Sequence, residues 1–286
     1  MAMNINTKPA DLTLEDVPVV DIPQVRRAPI VDRLPRSVLT AISLISAMAL
    51  WEIFGRNVDP IFSSHPFAIA AAAWELIRTG ALFKALLESV QPFILGYGAA
   101  IIIGAPLGLL LGRYRLFEAL FGIYVTAGYA MPLVALVPLL TLWLGLGFAV
   151  KVAIIFLMAI FPVTINTWLG VRAVPKSLID VGRALVAPDS VILRRIVLPA
   201  TLPYIVAGMK LAVGRAVVAM IIAEFFTSIA GLGAIIINSA NNFDTATMFV
   251  PILLLVVMAI GLTSLIGWVE KKVAPWQAEI SGRTEA

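Results

Sequence analysis

Six long apolar stretches, separated by short polar segments, leave this chain few ways to fold. They cover about 37–55, 90–112, 117–137, 149–170, 203–226 and 249–269. Each is near the roughly 20 residues that a helix needs to cross a hydrocarbon core of about 30 Å. In lipid a spanning segment must satisfy its own backbone, so runs of this length read as helices. Only 13% of the 286 residues are charged, where a soluble chain carries about 25%. The expected fold class is therefore an all-α polytopic membrane protein of about six transmembrane helices. Between the first two spans, 67–88 (FAIAAAAWELIRTGALFKALLE) reads as one interfacial helix.

Residues 1–36 form a polar, proline-bearing tail, 37–270 the membrane domain and 271–286 a second tail. No secretory signal peptide fits the start, because the first apolar run begins too late. With the amino terminus inside, 15 of the 21 Lys and Arg residues fall on inner segments. That bias places both termini and the 171–202 loop in the cytoplasm. The net charge of +4 belongs to topology rather than to nucleic-acid binding. The chain has no cysteine and therefore no disulfide. His65 is the lone histidine, expected on a solvated outer loop, and builds no metal site.

The longest charged interruption is DVGRALVAPDSVILRRIVLPATLP, Asp180 to Pro203. Leu178, Val181, Ala184 and Leu185 recur at helical spacing, with Asp180, Arg183, Asp189, Arg194 and Arg195 between them. An amphipathic helix is expected over about 176–190, limited by Pro188, and Pro199 and Pro203 punctuate the start of the next span. Such a helix either lies in the lipid interface or presents a docking face to a soluble partner.

In this stretch the chain resembles the binding-protein-dependent transport permeases, whose pattern is E-A-A-x-x-x-G, nine residues, then I-x-L-P. Asp180 stands for the acidic residue, Val181 and Gly182 for the alanines, and Ile196, Leu198 and Pro199 complete the match without a gap. Arg183 and Leu185 are similar to the nitrate/sulfonate/taurine branch, as are MPLVALVPLLTLWLGLG (from Met131) and FPVTINTWLGV (from Phe161). The departure is Val186, where the family has glycine. Valine is a poor residue for positive φ, which argues against the tight turn a glycine allows.

The resemblance implies a type I ABC importer permease fold with a cytoplasmic coupling helix, in the cell inner membrane. It implies as partners cytoplasmic ABC ATPase subunits, a periplasmic or lipid-anchored substrate-binding protein, a second copy of the chain and membrane lipids. ATP and Mg would sit on the ATPase, with no cofactor in this chain. The coupling residues would be Asp180, Val181, Gly182, Arg183, Ala184, Leu185, Val186, Ala187, Leu198 and Pro199. Cargo in this branch is a small solute such as nitrate, a sulfonate, taurine or bicarbonate, and also some neutral heterocycles.

The spans carry further signals. In the second, Gly96, Ala100, Gly104, Gly108 and Gly112 form a stripe of small residues, a ridge for close packing inside the chain or against a second copy. Pro132 and Pro138 interrupt the third span, which should then be covered by protein or line a cavity. Asn166 is polar but neutral in the fourth, where such a residue more often satisfies a neighbouring helix than touches substrate; it is counted with Pro132, Pro138, Arg215 and Glu224 as a candidate for the translocation pathway or gate. In the fifth, Lys210 is expected to snorkel to the cytoplasmic surface and Glu224 to be a wet rim residue. Arg215 is the deepest charge, facing an anion or structuring a gate, or else engaged in a structural ion pair. Gly231 and Gly233 follow in a loop expected either to re-enter or to lie at the outer surface.

No phosphate loop, nucleophile elbow or zinc motif occurs, so the sequence offers no catalytic residue and the chain does not bind ATP by a Walker loop. The reading from another class is a carrier or channel driven by an ion gradient. The want of buried carboxylates counts against proton coupling.

Overall fold

The computed structural model describes residues 35–227 and 230–273. The tails predicted for 1–36 and 271–286 lie almost wholly outside those residues. The described residues are helices joined by short turns, with no strand among them. In order they are α1 (Arg36–Arg56), α2 (Pro66–Arg78), α3 (Ala81–Arg113), α4 (Arg115–Ala130), α5 (Val137–Leu144), α6 (Phe148–Arg172), α7 (Lys176–Ala184), α8 (Asp189–Ile192), α9 (Leu198–Thr227), α10 (Leu232–Asn241) and α11 (Thr245–Val273). Five helical segments are long and apolar enough to cross a membrane. A sixth crossing is broken, because α4 and the 133–144 segment meet at 91°. Residues up to Leu50 form one unit and those from Trp51 a second. The α1 residues of the first unit expose Ile42, Leu44, Ile45 and Met48, as a lipid-bathed helix does.

The core of the second unit is a packet of α3, α6 and α9. Its buried residues include Ala100, Ile154, Ile155, Ala159, Val163, Val213, Ala216 and Met220. Helices α3 and α6 run parallel, because Gly96 meets Ile155 at one end and Gly112 meets Val171 at the other. A Cβ on Gly108 would lie 2.5 Å from the Thr164 carbonyl oxygen. Gly104 is similarly tight against Thr164 and Ile160. The small-residue stripe is therefore spent inside the chain, and the reading of it as a surface for a second copy is corrected. Without a hydrophobic force between helices in lipid, this close backbone approach is what holds α3 on α6.

Three expectations about elements change. The helix predicted over 67–88 is two helices, because Gly80 takes a left-handed φ of 73°. That geometry ends α2 at Arg78 and lets α3 begin at Ala81, at no Cβ cost. The helix predicted over 176–190 closes after Ala184. Pro199 and Pro203 do not interrupt the fifth span, since α9 runs through both. A π-helical turn, Leu193–Val197, lies just before Pro199 and widens the helix where a proline ring would press on the preceding turn.

Candidate coupling helix and membrane-embedded charges

Helix α7 has two faces. Gly182 is buried, and a Cβ there would stand 3.1 Å from Ile192 and from Ile196. Ile179 and Ala187 pack on the same small cluster, built around Val171, Val174, Ile192 and Val197. The outer face is bare. Leu178, Val181, Leu185 and Val186 are exposed, Val186 to 88%. Asp180 and Arg183, 3.6 Å apart, stand beside them and are also open to solvent. Ala184, at the end of the helix, is exposed as well. Leu198 and Pro199 are half-buried in the first turn of α9 and do not join this face. Arg113 at the end of α3 binds Asp189 at 2.6 Å, and Arg172 at the end of α6 pairs with Glu118 of α4. Both pairs fasten the bundle around α7.

The turn after α7 forms despite its valine. Ala187 N–H donates to the Gly182 carbonyl (3.1 Å) and Val186 N–H to that of Arg183 (2.9 Å). This is the double closure of a Schellman turn, with Val186 at the left-handed position, φ 53°. The expectation that valine would prevent the turn is thus corrected, since tertiary packing of Ile179 and Gly182 imposes the geometry. An L-residue held left-handed costs about 1–2 kcal/mol. Val186→Gly should accordingly raise the apparent Tm of the purified chain by about 2 °C, after the extra freedom of glycine in the unfolded chain is set against that strain. An unchanged or lower Tm in a thermal melt would show that Val186 carries no strain.

At the other end of the bundle the structure assembles a cluster that crosses four elements. Glu224 is completely buried. Its Oε1 accepts from Ser89 Oγ of α3 (2.6 Å) and its Oε2 from Gly233 N–H of α10 (2.7 Å). Lys151 of α6, also buried, lies 3.5 Å from Glu224 Oε1 and donates to the Ala230 carbonyl at 2.9 Å. Leu232 N–H donates to Ser89 Oγ at 2.9 Å. Gly231 and Gly233 press directly on the carboxylate, where no side chain would fit. The reading of Glu224 as a wet rim residue is corrected, and of the two expectations for the glycine loop the outer-surface one is corrected, since Gly231 and Gly233 are buried against Glu224. The argument from a want of buried carboxylates falls with them.

Other charges also find partners. Lys210 Nζ meets Glu270 of α11 at 2.5 Å, so it does not snorkel alone. His65 caps α2 by accepting from Ala68 N–H and its Nδ1 stands 3.1 Å from Glu52, half-buried rather than fully solvated. Asn166 donates to the Pro162 carbonyl at 2.8 Å and packs against Gly208 of α9. Pro132 and Pro138 flank the bend, Pro132 before the 3₁₀ turn Leu133–Leu136 and Pro138 in the first turn of α5, and both are exposed. Arg215, half-buried, stacks its guanidinium 4.3 Å from the ring centre of Tyr129 on α4. Among the described residues no carboxylate lies within ion-pair distance of Arg215. Tyr129 and Ser89 were not singled out from the sequence, and Lys151 entered only as part of the stretch that resembles the nitrate/sulfonate branch. The available signal for Lys151 was a lone charge one turn inside an apolar run.

The geometry has relatives. Residues 100–275 match the family described as binding-protein-dependent transport system inner membrane component. The chain is 31% identical over 241 residues, 82% of this chain and 86% of the relative, to a protein assigned as the aliphatic sulfonates transport permease SsuC of Bacillus subtilis. It is 29% identical over 259 residues, 84% and 88% of the two chains, to the nitrate import permease NrtB of Leptolyngbya laminosa. The fold is similar to an inward facing conformation of the MetNI methionine ABC transporter, with a TM-score of 0.57 at 20% identity over 70% of this chain and 96% of that one. At that identity the likeness shows the fold alone, a type I importer permease. The match over 176 residues, with packed spans that the sequence requires, shows that this multi-pass inner-membrane chain belongs to the binding-protein-dependent transport permeases, in their nitrate/sulfonate branch.

Proposed function

We propose that this chain is the membrane subunit of an ATP-driven importer for a small oxyanion, working as a pair of identical copies with two separate ATPase subunits and an external substrate-binding protein. The observation that carries the reading is the outer face of α7. Four exposed apolar side chains and an Asp–Arg pair occupy one short helix and the turn that closes it, at a bundle end. A helix laid into a groove on a partner needs such anchors. ATP binding closes the ATPase pair, and the motion passes through α7 into Arg113–Asp189 and Arg172–Glu118, and so into α3, α4 and α6. The spans then alternate between two states, each favoured by a different ligand. Hydrolysis on the partner resets them. The oxyanion class rests on the sulfonate and nitrate permeases that the chain resembles.

A carrier driven by an ion gradient has less support. Glu224 is a buried carboxylate, but Lys151, Ser89 and Gly233 already satisfy it, which leaves little reason for it to load and release protons. The test is co-purification and transport. Express the tagged chain with its genomic neighbours, reconstitute what elutes, and follow uptake of labelled nitrate and ethanesulfonate with the binding protein outside and ATP at the ATPase face. Uptake that requires ATP and a stoichiometric ATPase is the expected result. A chain that elutes alone and moves solute under an ion gradient without ATP would overturn the reading.

A further inference from the structure

We infer that Arg215, held by Tyr129 at the break in the third crossing, forms an oxyanion-binding site along the translocation path. This deepens the importer reading and rests on it. Arg215 lies nine residues before Glu224, about 13.5 Å along α9 at 1.5 Å per residue. Glu224 marks one end of the packed bundle, so Arg215 sits near half the depth of a core of about 30 Å. A guanidinium at that depth costs several kcal/mol against lipid and is retained where it faces a cavity or a partner.

Its surroundings fit a ligand rather than a structural ion pair. Among the described residues no carboxylate neutralises it, unlike Lys151, Lys210, Arg113 and Arg172. The guanidinium lies over the ring of Tyr129, its Cζ 4.3 Å from the ring centre. A guanidinium held over an aromatic face keeps N–H groups to donate, in the fork that matches two oxygens of one planar or tetrahedral anion. Beside it, Gly214 has nothing within 4 Å of where a Cβ would stand. Leu211 and Val218, one turn to either side, are more than half exposed. Arg215 therefore borders an open strip of α9.

The neighbouring backbone supports the same placement. Tyr129 is the last residue but one of α4, and the chain turns through 91° after it. Met131 and Pro132 at the turn are exposed and non-helical. Irregular backbone at membrane depth is tolerated where it is covered by protein or lines water, and broken helices near the midplane line solute paths. The ligand class is a small anion with two or three equivalent oxygens, nitrate-like or sulfonate-like, and not a neutral heterocycle.

The test uses the reconstituted transporter with saturating binding protein, and labelled nitrate and ethanesulfonate as probes. Arg215→Gln should lower ATP-driven uptake of the transported probe at least tenfold, while ATP hydrolysis without substrate stays within twofold. Arg215→Lys, which keeps the charge and loses the fork, should fall between. Gly214→Leu fills open space without a clash and should block uptake with no loss of thermal stability. Each probe is also added to the purified permease in a thermal melt, against chloride at equal ionic strength. A rise in wild-type Tm that disappears in Arg215→Gln is expected. Uptake within twofold of wild type in Arg215→Gln would overturn the site. So would equal loss of Tm and basal hydrolysis in Arg215→Gln and Arg215→Lys with no anion-induced rise in the wild type, since the stack is then structural only. ATP-driven uptake of a neutral heterocycle, with neither anion carried by the wild type, would overturn the anion class and leave the importer reading intact. Uptake that needs no ATP would overturn the importer reading itself.

Discussion

Glu224→Gln should lower the apparent Tm of the purified permease by about 10 °C. The substitution keeps shape but leaves one acceptor oxygen where Ser89 and Gly233 use two, and it leaves the Lys151 ammonium buried without its counter-charge. Removing one partner of a buried pair costs about 3–5 kcal/mol. For a chain of this size each kcal/mol moves Tm by about 2–4 °C. Replacing both members is a different matter, because a neutral, well-packed pair carries no desolvation cost. Lys151→Met combined with Glu224→Gln should therefore recover more than half of the loss. Single and double variants within about 2 °C of wild type would mean that the cluster does not clamp α3, α6, α9 and α10 together. A double variant that is stable but transports poorly would place the pair in the conformational cycle as well as in the fold.

The second large effect concerns α7. Val181→Asp together with Leu185→Asp should abolish recovery of the ATPase with the tagged permease and with it ATP-driven uptake. Both side chains are largely exposed in the free chain, so the variant should melt within about 2 °C of wild type. Central apolar anchors of an interface are worth about 2 kcal/mol or more each, and 1.4 kcal/mol is tenfold in affinity. The two together predict a loss of several hundredfold. The competing account of α7, a helix resting in the lipid interface, makes the opposite prediction. There the two carboxylates would reduce membrane insertion and yield, and the ATPase recovered per permease would not change. Replacing Asp180 and Arg183 by alanine is a milder version of the same test, because their 3.6 Å contact is exposed and contributes little to the fold.

The two variants probe opposite ends of one packed unit, and the fold shows what a displacement at one end would have to move. The α3–α6 seam is tight along its length, with Gly96, Gly104, Gly108 and Gly112 leaving no room for slippage. A displacement applied through Arg113 and Arg172 therefore moves the helices as bodies. The irregular points of the backbone lie elsewhere: at the 91° break beside Tyr129, and at the π-turn before Pro199. Interfaces that switch do so between discrete packings and not by continuous strain.

Much of this protein was legible without coordinates, because lipid imposes a simple rule on sequence. Spans must be long, apolar and helical, so their number and rough limits follow from the apolar runs. The amphipathic period of α7 follows from spacing alone, whereas its end after Ala184 is set by the turn at Val186. The small-residue stripe announced close packing, though not against what. Local turn chemistry was harder. Gly80 ended a helix that composition carried through to 88, and Val186 took a left-handed angle that its own preference opposes.

The charges inside the spans were the least legible. Lys151 and Glu224 are 73 residues apart, Lys210 and Glu270 are 60 apart, and no periodicity links such positions. In one dimension each is a lone costly charge, and the reasonable reading sends it to a wet surface. In three dimensions each is half of a pair, because parallel and antiparallel helix packing sets their depths equal. The sequence by itself determined that the chain is a bundle of membrane helices with one polar, amphipathic segment between spans. Only the tertiary structure decided which buried charges cancel and that, among the described residues, Arg215 meets an aromatic face and no counter-ion, since pairing depends on helix direction and depth, which hydropathy does not encode.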